Sequence, residues 1–445
     1  MSPIKRIVLL TLTLALLLGT AGCGAQQPAT RPPADPAAAL RDAGYTLEQV
    51  VVLSRHNIRS PLSGPDSLLG RVTTHEWTRW SSDVSELTVR GGVAENAMGQ
   101  YFRQWAEENG LFEKNARPAP DEVRFYANAK QRTLATARNF AAGMFPVAEM
   151  RVETHADYDT MDPVFNPVLT FCSPDYDAAV QREIDARFRA DASMMDELKT
   201  GYALIEKVLD YRASPAFRAG DCAELLPEDF DVVLEQGQEP AMRGSLKLGC
   251  QISDALVLQS YEAPDAKAAG FGRELTAAQW AQITAVKDYY VDILFTAPLV
   301  SVNVAHPLLD ELQKDLDSGR KFTFLCGHDS NIASVLAALD AAPRDLPGTP
   351  EAIPIGSKLT LEVWSRGAER FLAARMVYAG ADMLRDMAVL TPDAPPLKYT
   401  LAFTGLQANA DGLYTLADFQ GRLQQALDAY DALAETYGGD LAAAA

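Results

Sequence analysis

The chain has 445 residues, of which 48% are apolar, and this length and composition suit one large globular domain or two. Its 40 lysines and arginines are outnumbered by 59 aspartates and glutamates, which gives a formal net charge of −19. This acidic balance argues against a nucleic-acid partner, because nucleic-acid binding depends on basic patches.

The N-terminus has the pattern of an export signal. A short basic region at residues 5–6 precedes an apolar stretch, residues 7–21, that is too short for a membrane-spanning helix. These features predict that residues 1–22 are a signal peptide.

The end of the apolar stretch predicts a lipid anchor. Thr20-Ala21-Gly22-Cys23 resembles a bacterial lipobox, with threonine in the place of the usual leucine. We therefore expect Cys23 to be lipidated and residues 23–40 to form a flexible tether. The protein would then lie on the periplasmic or extracellular side of a bacterial cell envelope. Cleavage to a soluble periplasmic protein is the alternative.

The first strongly patterned segment joins an apolar run to a polar turn. Val50 to Leu53 is continuously apolar, and Arg55-His56-Asn57-Ile58-Arg59-Ser60-Pro61 follows it. This order predicts a buried strand whose carboxyl end carries two arginines and a histidine. In an α/β sheet, ligands bind just beyond the carboxyl ends of the strands.

A helix and a second strand follow. Leu87 to Gly110 has apolar side chains at four-residue spacing and ends in Asn109-Gly110, which predicts an amphipathic helix. Val123 to Ala127 is typical of a strand, and Lys130 to Thr133 opens the next helix. This arrangement would bring Arg132 to the same edge of the sheet.

The middle of the chain loses the alternation of strands and helices. Helical patterns at residues 178–189 and 195–209 are separated by proline-containing loops. We expect residues 155–286 to form a mainly helical cap, inserted between two parts of an α/β catalytic core at residues 41–154 and 287–445.

The α/β pattern then returns with a second strand and polar turn. Phe322 to Cys326 is apolar and leads directly into Gly327-His328-Asp329-Ser330-Asn331, with a helix expected up to Leu339. Later strands are predicted at residues 359–364 and 373–377, with a further edge strand at 399–403.

The residues at these strand ends suit phosphate chemistry. Arginine presents a planar, charged fork of donors that matches phosphate oxygens. A neutral histidine among arginines can attack phosphorus, and a protonated Asp329 can give its proton to the departing alcohol oxygen. His328 can add a donor to the phosphate oxygens. Because the arginines supply the charge neutralisation, we expect no metal and no cofactor.

The motif Arg-His-x-x-Arg-x-Pro with a distant His-Asp resembles the histidine acid phosphatases, a branch of the histidine phosphatase superfamily that includes phytases. Asn57 replaces the glycine usual in the wider family and resembles the glucose-1-phosphatase form. Further segments resemble the same form, and the resemblance runs from about Tyr45 to the C-terminal region. These segments are residues 87–92, 127–133, 160–167, 238–240 and 327–333.

The resemblance implies a fold and a role for each motif residue. It implies an α/β fold in which a Rossmann-like core sheet of the phosphoglycerate-mutase type is flanked by helices and carries the helical cap. His56 would be the nucleophile and Asp329 the proton donor. The phosphate pocket would be formed by Arg55, Arg59, Arg132 and His328.

The expected function is that of an exported, metal-independent acid phosphomonoesterase acting through a phosphohistidine on glucose 1-phosphate or similar sugar monophosphates. Glu239, from the segment that resembles the specificity region, should repel substrates that carry many phosphates. A phytase or broad-specificity acid phosphatase of the same family is the alternative. A further alternative is a lipoprotein that binds phosphate esters without hydrolysing them.

Four cysteines remain after Cys23: Cys172, Cys222, Cys250 and Cys326. Full pairing would allow three connectivities, and the sequence does not choose among them. Cys326 lies within an apolar strand, which favours a buried free thiol. Cys172 and Cys222 both fall in polar, loop-rich surroundings and are the preferred pair.

Overall fold

The computed structural model describes residues 35–438, so the predicted signal peptide, Cys23 and most of the tether lie outside the described residues. The helices, numbered in chain order, are α1 Pro36–Asp42, α2 Leu68–Arg71, α3 Val89–Glu108, α4 Gln131–Met144, α5 Pro174–Ile184, α6 Ala192–Leu209, α7 Pro215–Ala219, α8 Ser245–Glu262, α9 Ala266–Ala269, α10 Ala277–Phe295, α11 Pro298–Asp317, α12 Asp329–Ala338, α13 Ala381–Arg385 and α14 Leu416–Tyr437. A π-helical turn at Asp185–Arg189 and a 3₁₀ turn at Tyr211–Ala213 complete the helical segments of this part of the chain.

The strands form one large mixed sheet and one hairpin. They are β1 Thr46–Arg55, β2 Val123–Ala127, β3 Val152–Glu153, β4 Phe230–Val233, β5 Ala241–Gly244, β6 Phe322–Gly327, β7 Lys358–Arg366, β8 Glu369–Tyr378, β9 Leu397–Thr400 and β10 Tyr414–Thr415. The large sheet has the order β10-β8-β7-β1-β6-β2-β3, with β9 paired to β8, and β4 and β5 form the hairpin.

Strand β1 lies in the middle of the large sheet, as its continuous apolar run predicts. Its residues from Val50 to Leu53 are almost fully buried, because helices cover both faces of the sheet. It pairs in parallel with β6, and Arg55 at its end lies beside Gly327 at the end of β6. Strand β2 pairs in parallel with the other side of β6. The three predicted strand ends therefore meet at one edge.

Helices α3 and α4 cross at two glycines. A Cβ on Gly99 would lie 2.2 Å from the carbonyl oxygen of Phe140, and one on Gly143 would lie 2.2 Å from that of Asn96. Only glycine allows the two backbones to approach this closely. The close packing holds α4 against the sheet, and Arg132 in its first turn is thereby placed at the sheet edge.

The segment predicted to be a helical cap contains the β4–β5 hairpin besides its helices. Residue 287, where the sequence placed the end of the cap, lies within the continuous helix α10. One apolar cluster also includes side chains of α6, α10 and β7, so the packing is shared across this boundary.

Two further sequence expectations differ from the structure. Residues 36–40, assigned to the tether, belong to α1, because Ala37 and Leu40 are buried in an apolar cluster with β1. Within residues 35–438, Cys172, Cys222, Cys250 and Cys326 are all unpaired, so the preferred Cys172–Cys222 disulfide is not formed. The two thiols lie in separate surroundings, since Cys172 precedes α5 whereas Cys222 follows α7 and contacts Tyr211.

Among the described helices, none is by itself long and apolar enough to cross a membrane. The consecutive helices α10 and α11, whose axes differ by 82°, are long and apolar enough for this only when they are taken together.

Candidate active site

The two motifs meet where β1 and β6 end. The backbone N–H of His56 donates to the carbonyl oxygen of Gly327 at 3.0 Å, which extends the parallel pairing into the polar turns. The rings of His56 and His328 lie edge to face, with their centroids 5.5 Å apart. The structure thus brings both predicted histidines into one site.

His56 is held as a neutral imidazole. Its Nδ1 donates to the carbonyl oxygen of Asn57 at 2.8 Å, and since a carbonyl oxygen only accepts, the proton resides on Nδ1. Burial, followed by the positive charges of Arg132 and Arg59, lowers the pKa of His56 well below its usual value. Its Nε2 therefore keeps a free electron pair even in mildly acidic solution, as a nucleophile requires.

Arg55 is the most buried of the three arginines. Its Nη2 lies 3.0 Å from Oδ2 of Asp329 and its Nη1 lies 2.9 Å from Oε2 of Glu351. Nη1 also donates to the carbonyl oxygen of Ile353 at 2.5 Å. Burial by itself would lower the pKa of Arg55, but the two carboxylates outweigh it and raise the pKa. Arg55 is therefore a fixed positive charge in the site.

Arg59 and Arg132 are held by different partners. Arg59 pairs with Asp254 at 2.9 Å, and Arg132 donates to the Ser85 hydroxyl at 2.8 Å. Burial, and then the charge of Arg59, lowers the pKa of Arg132 to about 10, so it remains charged at acidic and neutral pH. Two cations that repel each other at close range favour an anion between them.

His328 is oriented by an amide at the end of β2. Nδ2 of Asn128 donates to its Nε2 at 2.7 Å, so the neutral ring carries its proton on Nδ1. That Nδ1 lies 3.5 Å from Nη2 of Arg132. Burial and the charge of Arg132 lower the pKa of His328 well below its usual value. His328 therefore presents a neutral N–H donor on the side of Arg132.

Asp329 is the first residue of α12. Burial would raise the pKa of Asp329, but Arg55, and after it Lys287 and Arg59, lower it well below its usual range. Asp329 is therefore ionised in the unliganded protein. From the sequence, the role of proton donor is predicted for protonated Asp329, whereas in the unliganded protein the contact with Arg55 favours the ionised carboxylate.

Three charged residues of the site were not predicted from the sequence. Asp254 comes from α8, Lys287 from α10, and Glu351 from the loop before β7. Asp254 and Lys287 look like ordinary charges on amphipathic helices. Glu351 had one available signal, because its loop leads directly into β7, the strand beside β1.

Asn57, which replaces the usual glycine, anchors the nucleophile turn. Its Nδ2 donates to Glu95 at 2.8 Å, and its Oδ1 accepts from the backbone N–H of Ile58 at 2.9 Å. Glu95 also pairs with Lys358 at 2.8 Å, and both of these side chains are fully buried. The turn after β1 is thus attached to α3 and β7 by a buried polar network.

A cavity of about 290 Å³ lies in front of these residues. Its lining includes His56, Arg59, Arg132, His328 and Asp329 on the sheet side. The opposite side is formed by α8, which carries Asp254, by α10 and by the loop that carries Glu239, which is exposed at the mouth of the cavity. Every predicted site residue except Arg55 lines this cavity, and Arg55 lies directly behind Asp329.

Metal binding was not expected here. Among residues 35–438, no group of three or more histidine, cysteine, aspartate or glutamate side chains is arranged to hold a metal ion.

Known proteins resemble the chain over most of its length. The sequence profile of the histidine phosphatase superfamily (branch 2) matches residues 46–201. Glucose-1-phosphatase of Salmonella typhimurium is 38% identical over 389 residues, which cover 86% of this chain and 93% of the relative. Glucose-1-phosphatase of Providencia rettgeri is 35% identical over 394 residues, which cover 87% and 93%.

The chain belongs to the histidine phosphatase superfamily, branch 2. Among solved structures, this histidine phosphatase is similar to the apo form of Hafnia alvei phytase, with a TM-score of 0.79 and 26% identity over 87% of this chain and 98% of that one. The predicted fold class is confirmed: a mixed α/β core sheet flanked by helices. The predicted enzyme class, a histidine acid phosphatase that acts on small phosphate esters, is confirmed as well.

Proposed function

We propose that this histidine phosphatase hydrolyses sugar monophosphates, glucose 1-phosphate above all, by transferring the phosphoryl group to His56 and then to water. The observation that carries the proposal is the neutral His56, whose proton is on Nδ1 and which lies among three arginines at one edge of the sheet. Its glucose-1-phosphatase relatives support the choice of substrate.

In the first step the phosphate group enters the cavity and its oxygens accept hydrogen bonds from Arg59, Arg132 and Nδ1 of His328. The arriving dianion competes with Asp254 for Arg59. The added negative charge raises the pKa of Asp329. Asp329 therefore takes up its proton in the complex, although it is ionised in the free enzyme.

In the second step Nε2 of His56 attacks phosphorus in line with the ester oxygen. The phosphorus–oxygen bond to the sugar breaks, and Asp329 gives its proton to that oxygen, which leaves as the alcohol. A water molecule then attacks phospho-His56 and gives a proton to the Asp329 carboxylate. The phosphorus–nitrogen bond breaks, and inorganic phosphate leaves. The arginines balance the charge throughout.

The cavity supports a small substrate. Its volume of about 290 Å³ lies at the lower end for ligand pockets. Glu239 adds a negative charge at the mouth, which disfavours a ligand with several phosphates. We propose that residues 155–286 form a cap that supplies these selective contacts, and that a lipid on Cys23 holds the enzyme at the outer side of a bacterial membrane.

The test is kcat/KM at about pH 5, with EDTA present, for glucose 1-phosphate, phytate and an aryl phosphate. Wild type and His56→Ala are compared, and the phosphoenzyme is trapped by acid-free quenching. A strong preference for glucose 1-phosphate that is lost in His56→Ala supports the proposal. Comparable rates on all three substrates would point to a broad-specificity acid phosphatase. A preference for phytate would point to the phytase alternative, which the similarity to Hafnia alvei phytase favours. Binding without turnover would refute an enzymatic role.

A further inference from the structure

A chain of buried charges continues behind Asp329. Asp329 contacts Arg55 at 3.0 Å, Arg55 contacts Glu351 at 2.9 Å, and Glu351 contacts Nζ of Lys287 at 3.1 Å. The last three side chains are almost fully buried. Negative and positive side chains alternate in this series of ion pairs, so each side chain fixes the position of the next.

Glu351 is fixed by more than its two cations. The hydroxyl of Tyr261 donates to its Oε1 at 3.1 Å, and Lys287 is also held by Asp288 at 3.1 Å. Glu351 does not line the catalytic cavity, so a bound substrate would not touch it. It acts on the reaction only through the two cations that it binds, Arg55 and Lys287.

Lys287 lies between two cavities. Together with Asp329 it lines the catalytic cavity and also a second cavity of about 310 Å³ on the other side of α10 and α12. Its positive charge therefore lies close enough to Asp329 to favour the ionised carboxylate.

We propose that Lys287 and Glu351 are positioning residues that set the strength of the contact between Arg55 and Asp329, and thereby the pH range in which the enzyme works. This inference rests on the proposed function, because it takes Asp329 to be the proton donor. Neither residue exchanges atoms with the substrate.

The two residues act on Asp329 with opposite signs. Loss of the positive charge of Lys287 removes a cation that favours ionised Asp329, so the pKa of Asp329 rises. Loss of the negative charge of Glu351 leaves Arg55 with Asp329 as its remaining carboxylate partner, so that contact tightens and the pKa of Asp329 falls. Other groups that face Asp329 are unchanged in both variants: Arg55, Arg59, Arg132, His328, Glu239 and Cys250.

The experiment measures kcat against pH, at saturating glucose 1-phosphate, for wild type, Lys287→Met and Glu351→Gln. The basic limb of this profile reports the group that must be protonated in the enzyme–substrate complex. Lys287→Met should move the limb to higher pH by about one unit, and Glu351→Gln should move it to lower pH by a similar amount. Lys247→Met is the matched control, since Lys247 also lines the cavity but is exposed, and its limb should stay in place.

A merely structural role would lower kcat without moving the limb in opposite directions. Limbs that stay in place, or that move in the same direction, overturn the inference. If Lys287→Met does not fold, Lys287→Met is added to Glu351→Gln, where Asp288 is the one carboxylate partner of Lys287 that remains. The double variant must then show a limb at higher pH than Glu351→Gln alone.

The failure of the inference and that of the proposed function are separate results. Full turnover by His56→Ala would refute the proposed function whatever the pH profiles show. An inactive His56→Ala combined with unmoved limbs would refute only the roles of Lys287 and Glu351.

Discussion

Replacing Lys358 with methionine is expected to destabilise the protein severely and in a pH-dependent manner. Lys358 and Glu95 form an ion pair at 2.8 Å in which both side chains are 0% exposed. Removal of one partner leaves a buried carboxylate without its counter-charge, which costs about 3–5 kcal/mol of the free energy of unfolding. Asn57 continues to donate to Glu95 but carries no charge.

The dependence on pH follows from Glu95. Burial raises the pKa of Glu95 even though Lys358 and Asn57 lower it, and without Lys358 the pKa rises further. A carboxyl whose pKa is higher in the folded than in the unfolded protein stabilises the fold at low pH, and this contribution is lost as the pH rises through the folded value. The loss in the free energy of unfolding that Lys358→Met causes should therefore be larger at about pH 8 than at about pH 5, where Glu95 can take up a proton.

The assay is urea unfolding of wild type and Lys358→Met at both pH values, with the slope of the transition compared at each. Lys314→Met is the matched control, because Lys314 forms an ion pair with Asp310 at 2.5 Å but is 63% exposed. Lys314→Met should change the free energy of unfolding by no more than about 1 kcal/mol at either pH. A deficit for Lys358→Met below about 1 kcal/mol at pH 8, or one that is equal at both pH values, would refute the reasoning.

Three further outcomes are expected. Asp254→Asn should lower the inhibition constant of inorganic phosphate by roughly three- to tenfold, because an asparagine oxygen still accepts from Arg59 while a charge that repels the anion is gone; an increase would show that the carboxylate is needed to position the arginine. Glu239→Gln should raise kcat/KM on phytate by about two- to tenfold relative to glucose 1-phosphate, and Glu235→Gln, exposed on the same loop but outside the cavity lining, should not. Cys23→Ala should move the protein from the detergent phase to the aqueous phase in a partition experiment, and an unchanged distribution would argue against lipidation.

The elements that could be predicted from the sequence are those whose buried residues form a regular apolar pattern along the chain. Residues 50–53 of β1 and the whole of β6 are buried, and these segments are therefore almost entirely apolar in sequence. The polar turns that follow them stand out against these runs. The helix predicted at residues 87–110 is observed as α3, Val89–Glu108, because its apolar spacing and its terminal Asn-Gly were both visible.

The remaining parts depend on packing between distant segments. The β4–β5 hairpin was missed because its strands have four residues each and lie within a mostly helical region. Glu351 and Lys287 reach the site only because α10 and the loop before β7 pack together there. The ion pair of Asp329 with Arg55 could not be predicted for the same reason, since the sequence does not show that Arg55 turns towards it.

The place of β1 in the sheet has a consequence for the order in which the molecule can fold. This early strand is flanked by β6 and β7, which lie in the last third of the chain, and pairs directly with neither β2 nor β3. Pairings between such distant segments form slowly, because a long loop must close before any contact is gained. A growing chain displays its nucleophile motif first but has no strands to place it between until β7 has emerged. The enzyme should therefore remain inactive during its synthesis at least until β7, Lys358–Arg366, has emerged.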